Sequence, residues 1–221
     1  MESIAAVTFD CYGTLIDWET GIRQSFNTIL KAKGAKIDVK DFQAKWNEIE
    51  FALIQGRYQP YKTILRKSLK KTMEHFKLRY NEADGDLFAE SMSTWNPFPD
   101  VMPTLRELGK RSMIAIISNT DNDIIHETVR KIGVSFDRII TTEDAKAYKP
   151  SPKIFQHAIK IIGATPAQIL HTSFSFKYDL NPGKRLGFQT VWVKRKSEKD
   201  ERGKRDFEVV DLRGLLNIIS E

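Results

Sequence analysis

Cysteine is almost absent from this chain of 221 residues, so no internal disulfide can form. The single thiol is that of Cys11. No segment reaches the roughly 18 consecutive apolar residues that a membrane-spanning helix needs, and the apolar start of the chain is interrupted at Asp10 before it could act as a secretory signal. These absences predict a protein without disulfides or membrane contacts that works in the cytoplasm.

Histidine is also scarce, and the four histidines show no spacing typical of metal ligands. They are His75, His126, His157 and His171. The formal net charge is +6, but the lysines are scattered and none lies in a nucleic-acid-binding motif, so we expect no nucleic-acid partner. A positive field instead speeds the encounter with small anions.

The composition is that of an ordinary globular protein. With 41% hydrophobic and 29% charged residues, the chain can bury a sizeable core. The densest run of charge, residues 194–206, mixes both signs and contains Gly203. A mixed run of this kind is typical of a solvated loop and not of a binding patch.

Two hydrophobic patterns divide the chain. Residues 1–16 and 97–221 alternate short apolar runs with helical patterns, which predicts βαβ units and a doubly wound, Rossmann-like α/β core with a parallel sheet. Residues 17–96 contain no strand pattern and predict an inserted cap of four helices. Pro97 and Pro99 prevent the last of these helices from continuing and mark the return to the core.

Apolar residues recur at helical spacing along the predicted cap, and Gly34 ends the first pattern. Packing within a helical bundle is the simplest interpretation of these stripes. They consist of Ile22, Phe26, Ile29 and Leu30, then Phe42, Trp46, Ile49 and Leu53, then Ile64, Leu65, Leu69 and Met73, and finally Leu87 and Phe88.

Residues 9–15, Phe-Asp-Cys-Tyr-Gly-Thr-Leu, close an apolar run that begins at Ile4. A strand that ends in Asp10 and turns at Gly13 delivers the carboxylate to the carboxyl edge of a sheet, where open α/β folds bind ligands. Asp10 is therefore a candidate nucleophile. The alternative is that its carboxylate only accepts a hydrogen bond in a turn.

A second apolar run, residues 113–119, ends in Ser118 and Asn119 just before residues that start a helix. Free backbone N–H groups and the hydroxyl of Ser118 would hold a carboxylate or phosphate there, although a helix cap explains the same pattern. Further along, Lys149 and Pro150 precede a predicted helix with Ser151 as its N-cap residue.

The order of these segments resembles the haloacid dehalogenase superfamily, whose first motif is an Asp that closes a strand. Phosphatases of that superfamily carry a second Asp two residues later, whereas Tyr12 stands there in this chain and resembles the 2-haloacid dehalogenase branch. Lys149 and Pro150 match the third motif. Asp179, followed by the helix and strand pattern of residues 184–193, matches the fourth.

The resemblance implies a hydrolase that removes the halogen of a short 2-haloalkanoic acid through an Asp ester. Asp10 would attack C2 and release the leaving group, and water would then hydrolyse the ester. Lys149 would stabilise the Asp10 carboxylate, and Asp179 would orient both Lys149 and the hydrolytic water. The substrate-binding residues would be Cys11, Tyr12, Thr14, Ser118, Asn119, Asn47, Arg57, Phe174 and Ser175. The resemblance implies no cofactor. The expected partner is a small anionic substrate. The protein would be a monomer or a homodimer.

The chain departs from the family pattern in its fourth motif and in its cap. Phe174 and Phe176 replace polar residues, and Phe155 stands where dehalogenases carry Tyr. Asn47 follows the cap tryptophan, where related dehalogenases carry an Arg that binds the substrate carboxylate and the leaving halide. Arg57 from the next loop could substitute for that Arg.

Two alternative functions stay open. The first is a Mg-dependent phosphohydrolase with Asp10 as phosphoryl acceptor and with Asp10 and Asp179 as metal ligands, but Tyr12 is a poor acid near neutral pH for protonating a leaving oxygen. The second is a binding protein with little catalytic activity that keeps this fold, its former pocket filled by Phe174 and Phe176.

Overall fold

A six-stranded parallel sheet forms the core of the computed structural model, which describes residues 3–195 and 203–219. The strands are β1 (Ala6–Phe9), β2 (Met113–Ser118), β3 (Arg138–Thr141), β4 (Ile169–Ser173), β5 (Gln189–Val193) and β6 (Phe207–Val209). Their order across the sheet is β3-β2-β1-β4-β5-β6. The predicted α/β fold with a doubly wound parallel sheet is thereby confirmed.

Helices cover both faces of this sheet, because successive strand residues point to opposite sides. Val7 and Phe9 pack into one buried cluster and Ala6 into another. The helices that follow the strands are α5 (Val101–Leu108), α6 (Asn122–Ile132), α7 (Thr142–Ala145), α8 (Pro152–Ile162), α9 (Asn181–Arg185) and α10 (Leu215–Ile218). In the described residues, no helix is both long and apolar enough to span a membrane.

Four helices lie between β1 and α5, as the sequence predicted. They are α1 (Trp18–Ala32), α2 (Val39–Ile54), α3 (Tyr61–His75) and α4 (Glu82–Ser91). Phe26 of α1 packs against two of the others, with its ring centroid 5.0 Å from those of Phe42 in α2 and Phe88 in α4. The buried face of α2 differs from the prediction, because Glu50 is buried whereas Ile49 and Leu53 are only half-buried.

β1 lies at the point where the direction of the chain through the sheet reverses. Phe9 is paired with Ile116 of β2 on one side and with Thr172 of β4 on the other. The chain passes from β1 to β2 and β3, and then returns to β4 on the opposite side of β1. The carboxyl ends of β1, β2 and β4 therefore meet at a topological switch point, where such sheets bind ligands.

Part of the mixed-charge run at 194–206 lies outside the described residues, namely 196–202. Within the described part of the run, Lys194 and residues 204–206 are exposed, as a solvated loop predicts, whereas the side chain of Arg195 is only 7% exposed. The guanidinium donates from Nε (3.1 Å) and Nη2 (2.9 Å) to the carbonyl oxygen of Thr14, and its Nη1 lies 2.9 Å from Asp100. Burial of this cation is compensated by the ion pair and by the carbonyl group.

Candidate active site

Asp10 follows β1 directly and is buried at the carboxyl end of the sheet. Its Oδ1 lies 2.7 Å from Nζ of Lys149, and its Oδ2 accepts a hydrogen bond of 2.7 Å from the hydroxyl of Thr14. The turn after Asp10 requires Gly13, whose φ is +103°, because a Cβ atom there would overlap the ring of Phe174. Both carboxylate oxygens are therefore held in fixed positions.

Lys149 is buried and lies between two carboxylates. Its ammonium donates to Oδ1 of Asp10 (2.7 Å), Oδ1 of Asp179 (2.7 Å) and the carbonyl oxygen of Ile117 (3.0 Å). Its backbone is held by the side chain of Asn119, which accepts from the Lys149 N–H at 2.7 Å and donates to the Lys149 carbonyl at 3.1 Å. Asn119 thus positions the lysine while it also lines the cavity described below.

Asp179 lies in a π-helical turn after β4, and the hydroxyl of Ser175 caps this turn by accepting from the Tyr178 N–H at 3.3 Å. Its Oδ1 is shared by Lys149 and by Nε2 of His171, which lies 3.1 Å away. Its Oδ2 is buried and has no hydrogen-bond partner among the described residues. That oxygen is left available to accept a hydrogen bond from a ligand.

His171 and Thr8 are site residues that the sequence reasoning missed. They are paired in register on β4 and β1, and Nδ1 of His171 lies 2.8 Å from the hydroxyl of Thr8. The chain Thr8–His171–Asp179 holds the carboxylate from the side of the sheet. The available signal was a polar residue in each of two fully buried strands, Thr8 in β1 and His171 in β4.

The pKa values at the centre follow from two buried carboxylates sharing one ammonium. Burial raises the pKa of Asp10; Lys149 offsets part of this rise and Asp179 adds to it. Burial acts in the same direction on Asp179, but Lys149 and His171 outweigh it and lower the Asp179 pKa. Burial favours neutral Lys149, yet the two carboxylates raise its pKa and keep it charged. Asp10 is therefore the more basic carboxylate, which suits a nucleophile.

A cavity of about 620 Å³ opens above these groups, between the sheet edge and the inserted helices. The predicted site residues that line it are Asp10, Tyr12, Asn47, Ser118, Asn119, Lys149, Phe174, Ser175 and Asp179. The hydroxyl of Ser118 is buried and has no hydrogen-bond partner among the described residues. The structure thus brings together residues from the first, third and fourth motifs, from the run at residues 113–119, and from α2.

Three predicted binding residues lie outside this lining. Arg57, which the sequence suggested as a substitute for the cap arginine, is exposed in the loop between α2 and α3 and does not line the cavity. Cys11 and Thr14 are buried below the cavity, and the hydroxyl of Thr14 donates a hydrogen bond to Asp10. Burial raises the pKa of the Cys11 thiol well above its usual value, and the charge of Asp10 raises it further.

The wall of the cavity formed by the inserted helices is rich in tryptophan. Trp18, Trp46 and Trp95 line it, and their indole N–H groups have no hydrogen-bond partner in the part of the chain that the structure describes. Besides Lys149, the lining includes one further cation among the described residues, Lys177, whose Nζ lies 3.1 Å from the ring centroid of Phe51 in α2. Lys177 was not predicted from the sequence.

The chain is similar in sequence to known dehalogenases. The family model of haloacid dehalogenase-like hydrolases matches residues 4–187. The chain is 30% identical to haloacetate dehalogenase H-2 of Moraxella sp. (strain B), over the whole of both chains. It is 26% identical to (S)-2-haloacid dehalogenase of Pseudomonas sp. (strain YL), covering 99% of this chain and 95% of that one.

Solved structures show the same fold. The L-2-haloacid dehalogenase of Xanthobacter autotrophicus with chloropropionic acid covalently bound has a TM-score of 0.83 and 24% identity, covering 98% of each chain. The HAD-hydrolase YfnB of Bacillus subtilis, solved bound to magnesium, has a TM-score of 0.84 and 15% identity over the full length of both chains. At these identities the likeness concerns the fold and not the substrate.

Proposed function

The chain belongs to the haloacid dehalogenase-like hydrolases, and we propose that it removes the halogen of a short 2-haloalkanoic acid through an ester of Asp10. The observation that carries the proposal is the buried group of Asp10, Lys149 and Asp179 at the floor of the cavity. The names of the related dehalogenases support the choice of substrate class.

The first step forms a C–O bond and breaks the carbon–halogen bond. A carboxylate oxygen of Asp10 attacks C2, and the halide leaves with the bonding electron pair. Lys149 and Thr14 fix the direction of attack by holding the carboxylate. The hydroxyl of Ser118 and the backbone N–H groups near Cys11 and Tyr12 would bind the substrate carboxylate, with Asn119, Phe174 and Ser175 shaping the same wall.

The second step releases the product. Water adds to the carboxyl carbon of the ester, and the bond between that carbon and the substrate oxygen breaks. A 2-hydroxy acid and a proton leave, and the Asp10 carboxylate is regenerated. Oδ2 of Asp179 has no partner among the described residues and would accept a hydrogen bond from that water. Lys149 remains charged throughout and returns to its pair with regenerated Asp10.

The inserted helices would act as a cap domain, residues 17–96, over a core domain of residues 1–16 and 97–221. Displacement at carbon drives the halide away from the attacking oxygen, and so away from the sheet edge. Lys177 and the unpartnered indole N–H groups on the cavity wall would take the place of the absent cap arginine. Asn47 lies on the same wall and would contribute to substrate choice. A covering cap would exclude bulk water from the ester.

A magnesium-dependent phosphohydrolase fits the donor set less well. Mg²⁺ needs several oxygen ligands in octahedral geometry, whereas the ammonium of Lys149 lies between the two carboxylates of the site. Burial raises the pKa of Tyr12 well above its usual value, so it is a poor acid for a leaving alcohol. The alternative of a filled pocket also fits poorly, because Phe176 packs in a separate cluster with Leu180 and Trp192.

A substrate panel tests the proposal. L- and D-2-haloacids and phosphoesters are assayed with and without Mg²⁺, with halide and phosphate measured separately. We expect halide release from 2-haloacids without added metal. Phosphate release that depends on Mg²⁺ would support the phosphohydrolase, and binding without any turnover would support the binding protein.

A further inference from the structure

Glu50 is a buried carboxyl group on the cavity wall that the proposed reaction does not use. It lies on the inner face of α2, is 7% exposed and lines the cavity. Its Oε1 accepts a hydrogen bond of 3.2 Å from the hydroxyl of Tyr61 in α3, which also lines the cavity. Among the described residues, no lysine, arginine or histidine forms an ion pair with it.

A carboxyl group in this position is costly if it serves only to pack the helices. Burying a polar group without full hydrogen bonding is unfavourable, and its neighbours at a spacing of four residues along α2, Trp46 and Ile54, are apolar. Burial raises the pKa of Glu50 to about 7, although Tyr61 and the charge of Lys177 act to lower it. Near neutral pH the group can therefore both donate and accept a hydrogen bond.

The cavity is larger than a two-carbon halo acid requires. Its volume of about 620 Å³ is within the range of sites that bind drug-sized ligands. Asp10 and Glu50 line the same cavity, and the wall that α2 and α3 contribute includes the apolar side chains Trp46, Phe51 and Leu65 beside the polar Gln43, Asn47 and Glu48. A molecule that reaches both carboxyl groups would have a reactive end, an apolar middle and a polar end.

We propose that Glu50 and Tyr61 form a second polar subsite, which binds a neutral hydroxyl or carboxamide group at the other end of an apolar 2-halo acid. The identity of the reacting end rests on the proposed function. At this end of the cavity, an ion of either sign would be attracted by one of the two charges, ionised Glu50 and Lys177, and repelled by the other. A neutral group that both donates and accepts matches Glu50 in either protonation state.

Matched pairs of substrates test the subsite. The kcat/KM values of 2-bromoalkanoates with a methyl or a hydroxyl terminus are compared over a series of chain lengths. In the wild type, we expect the hydroxyl to raise kcat/KM by roughly tenfold or more at one chain length, where it reaches Glu50, and not in the shortest acids. Equal values at every length, or a preference for methyl throughout, would overturn the proposal.

Variants separate the carboxyl group from the rest of the helix. Glu50→Leu should abolish the hydroxyl preference, while Glu50→Gln, which keeps a donor and an acceptor, should retain most of it. Glu48→Gln is the matched control, because Glu48 lines the cavity from the same helix but is exposed and paired with Lys45. If Glu50→Leu fails to fold, Tyr61→Phe removes one partner of the subsite and should reduce the preference. A preference that these variants leave unchanged contradicts the proposal.

A binding measurement distinguishes failure of the subsite from failure of the proposed reaction. Titration calorimetry compares halogen-free ω-hydroxyalkanoates with alkanoates of equal length, so no turnover is needed. Tighter binding of the hydroxy acid by about tenfold in the wild type, lost in Glu50→Leu, supports the subsite even if no halide is released. Halide release with equal binding of both acids refutes the subsite and leaves the reaction standing.

Discussion

The hydroxyl of Tyr61 donates a hydrogen bond to the carboxylate of Glu50, with 3.2 Å between Oη and Oε1. The bond connects α3 to α2 at the cavity wall, and both side chains are buried. Burial raises the pKa of Glu50 to about 7 and that of Tyr61 well above its usual value. The pair therefore makes the stability of the folded protein depend on pH.

Replacing Glu50 with Gln should remove that dependence. Because the folded pKa is about 7 and the usual value is 4.5, proton binding stabilises the fold fully below the unfolded pKa, and this stabilisation is lost as pH rises through about 7. The groups that act on Glu50 are Tyr61 and Lys177. The free energy of unfolding is measured in urea at about pH 5 and pH 8 for both proteins. On going from the lower to the higher pH, wild type should lose on the order of 3 kcal/mol more than the variant. Parallel pH profiles for the two proteins would contradict the shift.

Asp10→Asn should abolish turnover and preserve the fold. The amide is nearly isosteric with the carboxylate but is a poor nucleophile, so we expect activity to fall by at least about a thousandfold. Circular dichroism checks the fold, and mass spectrometry excludes deamidation back to Asp. Activity above roughly a tenth of wild type would rule out Asp10 as the covalent nucleophile.

The low-pH limb of the rate profile should reveal the environment of Asp10. Its carboxyl must be ionised to attack, and burial raises its pKa above 3.8, so kcat/KM should fall as pH drops through a value above 3.8. Lys149→Gln should move this limb to higher pH, because the charge that opposes the rise is removed. It should also cost about 3–5 kcal/mol of stability at neutral pH, since Asp10 and Asp179 would remain buried together. A limb that stays in place in the variant would show that Lys149 does not control the titration.

The elements that the sequence predicted correctly are those determined by neighbours along the chain. An apolar run ending at Asp10 specified a strand and its carboxyl edge, and Ser151 as N-cap residue specified the start of α8. The family resemblance then identified Lys149 and Asp179 as partners of Asp10. In the structure, Asp10 and Asp179 both lie within hydrogen-bond distance of Lys149.

The residues that the sequence missed or misplaced depend on distant parts of the chain. Arg195 and Thr14 are 181 residues apart in the sequence, so a run of charged residues around Arg195 could not predict this hydrogen bond. Glu50 continues the spacing of Phe42 and Trp46, but a charged residue on a helix is normally assigned to the solvent side. Arg57 was placed near the site by proximity along the chain alone, whereas the loop holds it exposed.

Arg195 should act as a positioning residue for the nucleophile loop. Its guanidinium holds the carbonyl of Thr14, whose hydroxyl fixes Asp10. We expect Arg195→Met to lower kcat by roughly tenfold with a smaller change in KM, since the attacking oxygen is misplaced. Arg195→Lys should recover part of this loss through the retained charge. Arg57→Ala is the control and should change neither constant. If Arg57→Ala lowers kcat as much as Arg195→Met does, Arg195 is not a positioning residue.

Catalysis should proceed without a divalent metal. The centre offers two carboxylates, Asp10 and Asp179, and the ammonium of Lys149 lies 2.7 Å from an oxygen of each. Mg²⁺ would have to displace this ammonium or bind with few protein oxygens, which it does poorly. Nucleophilic attack on carbon also needs no cation to neutralise a phosphoryl group. The enzyme is treated with EDTA, the chelator is removed, and halide and phosphate release are followed separately. We expect halide release at the untreated rate; a loss that Mg²⁺ restores would favour the phosphohydrolase instead.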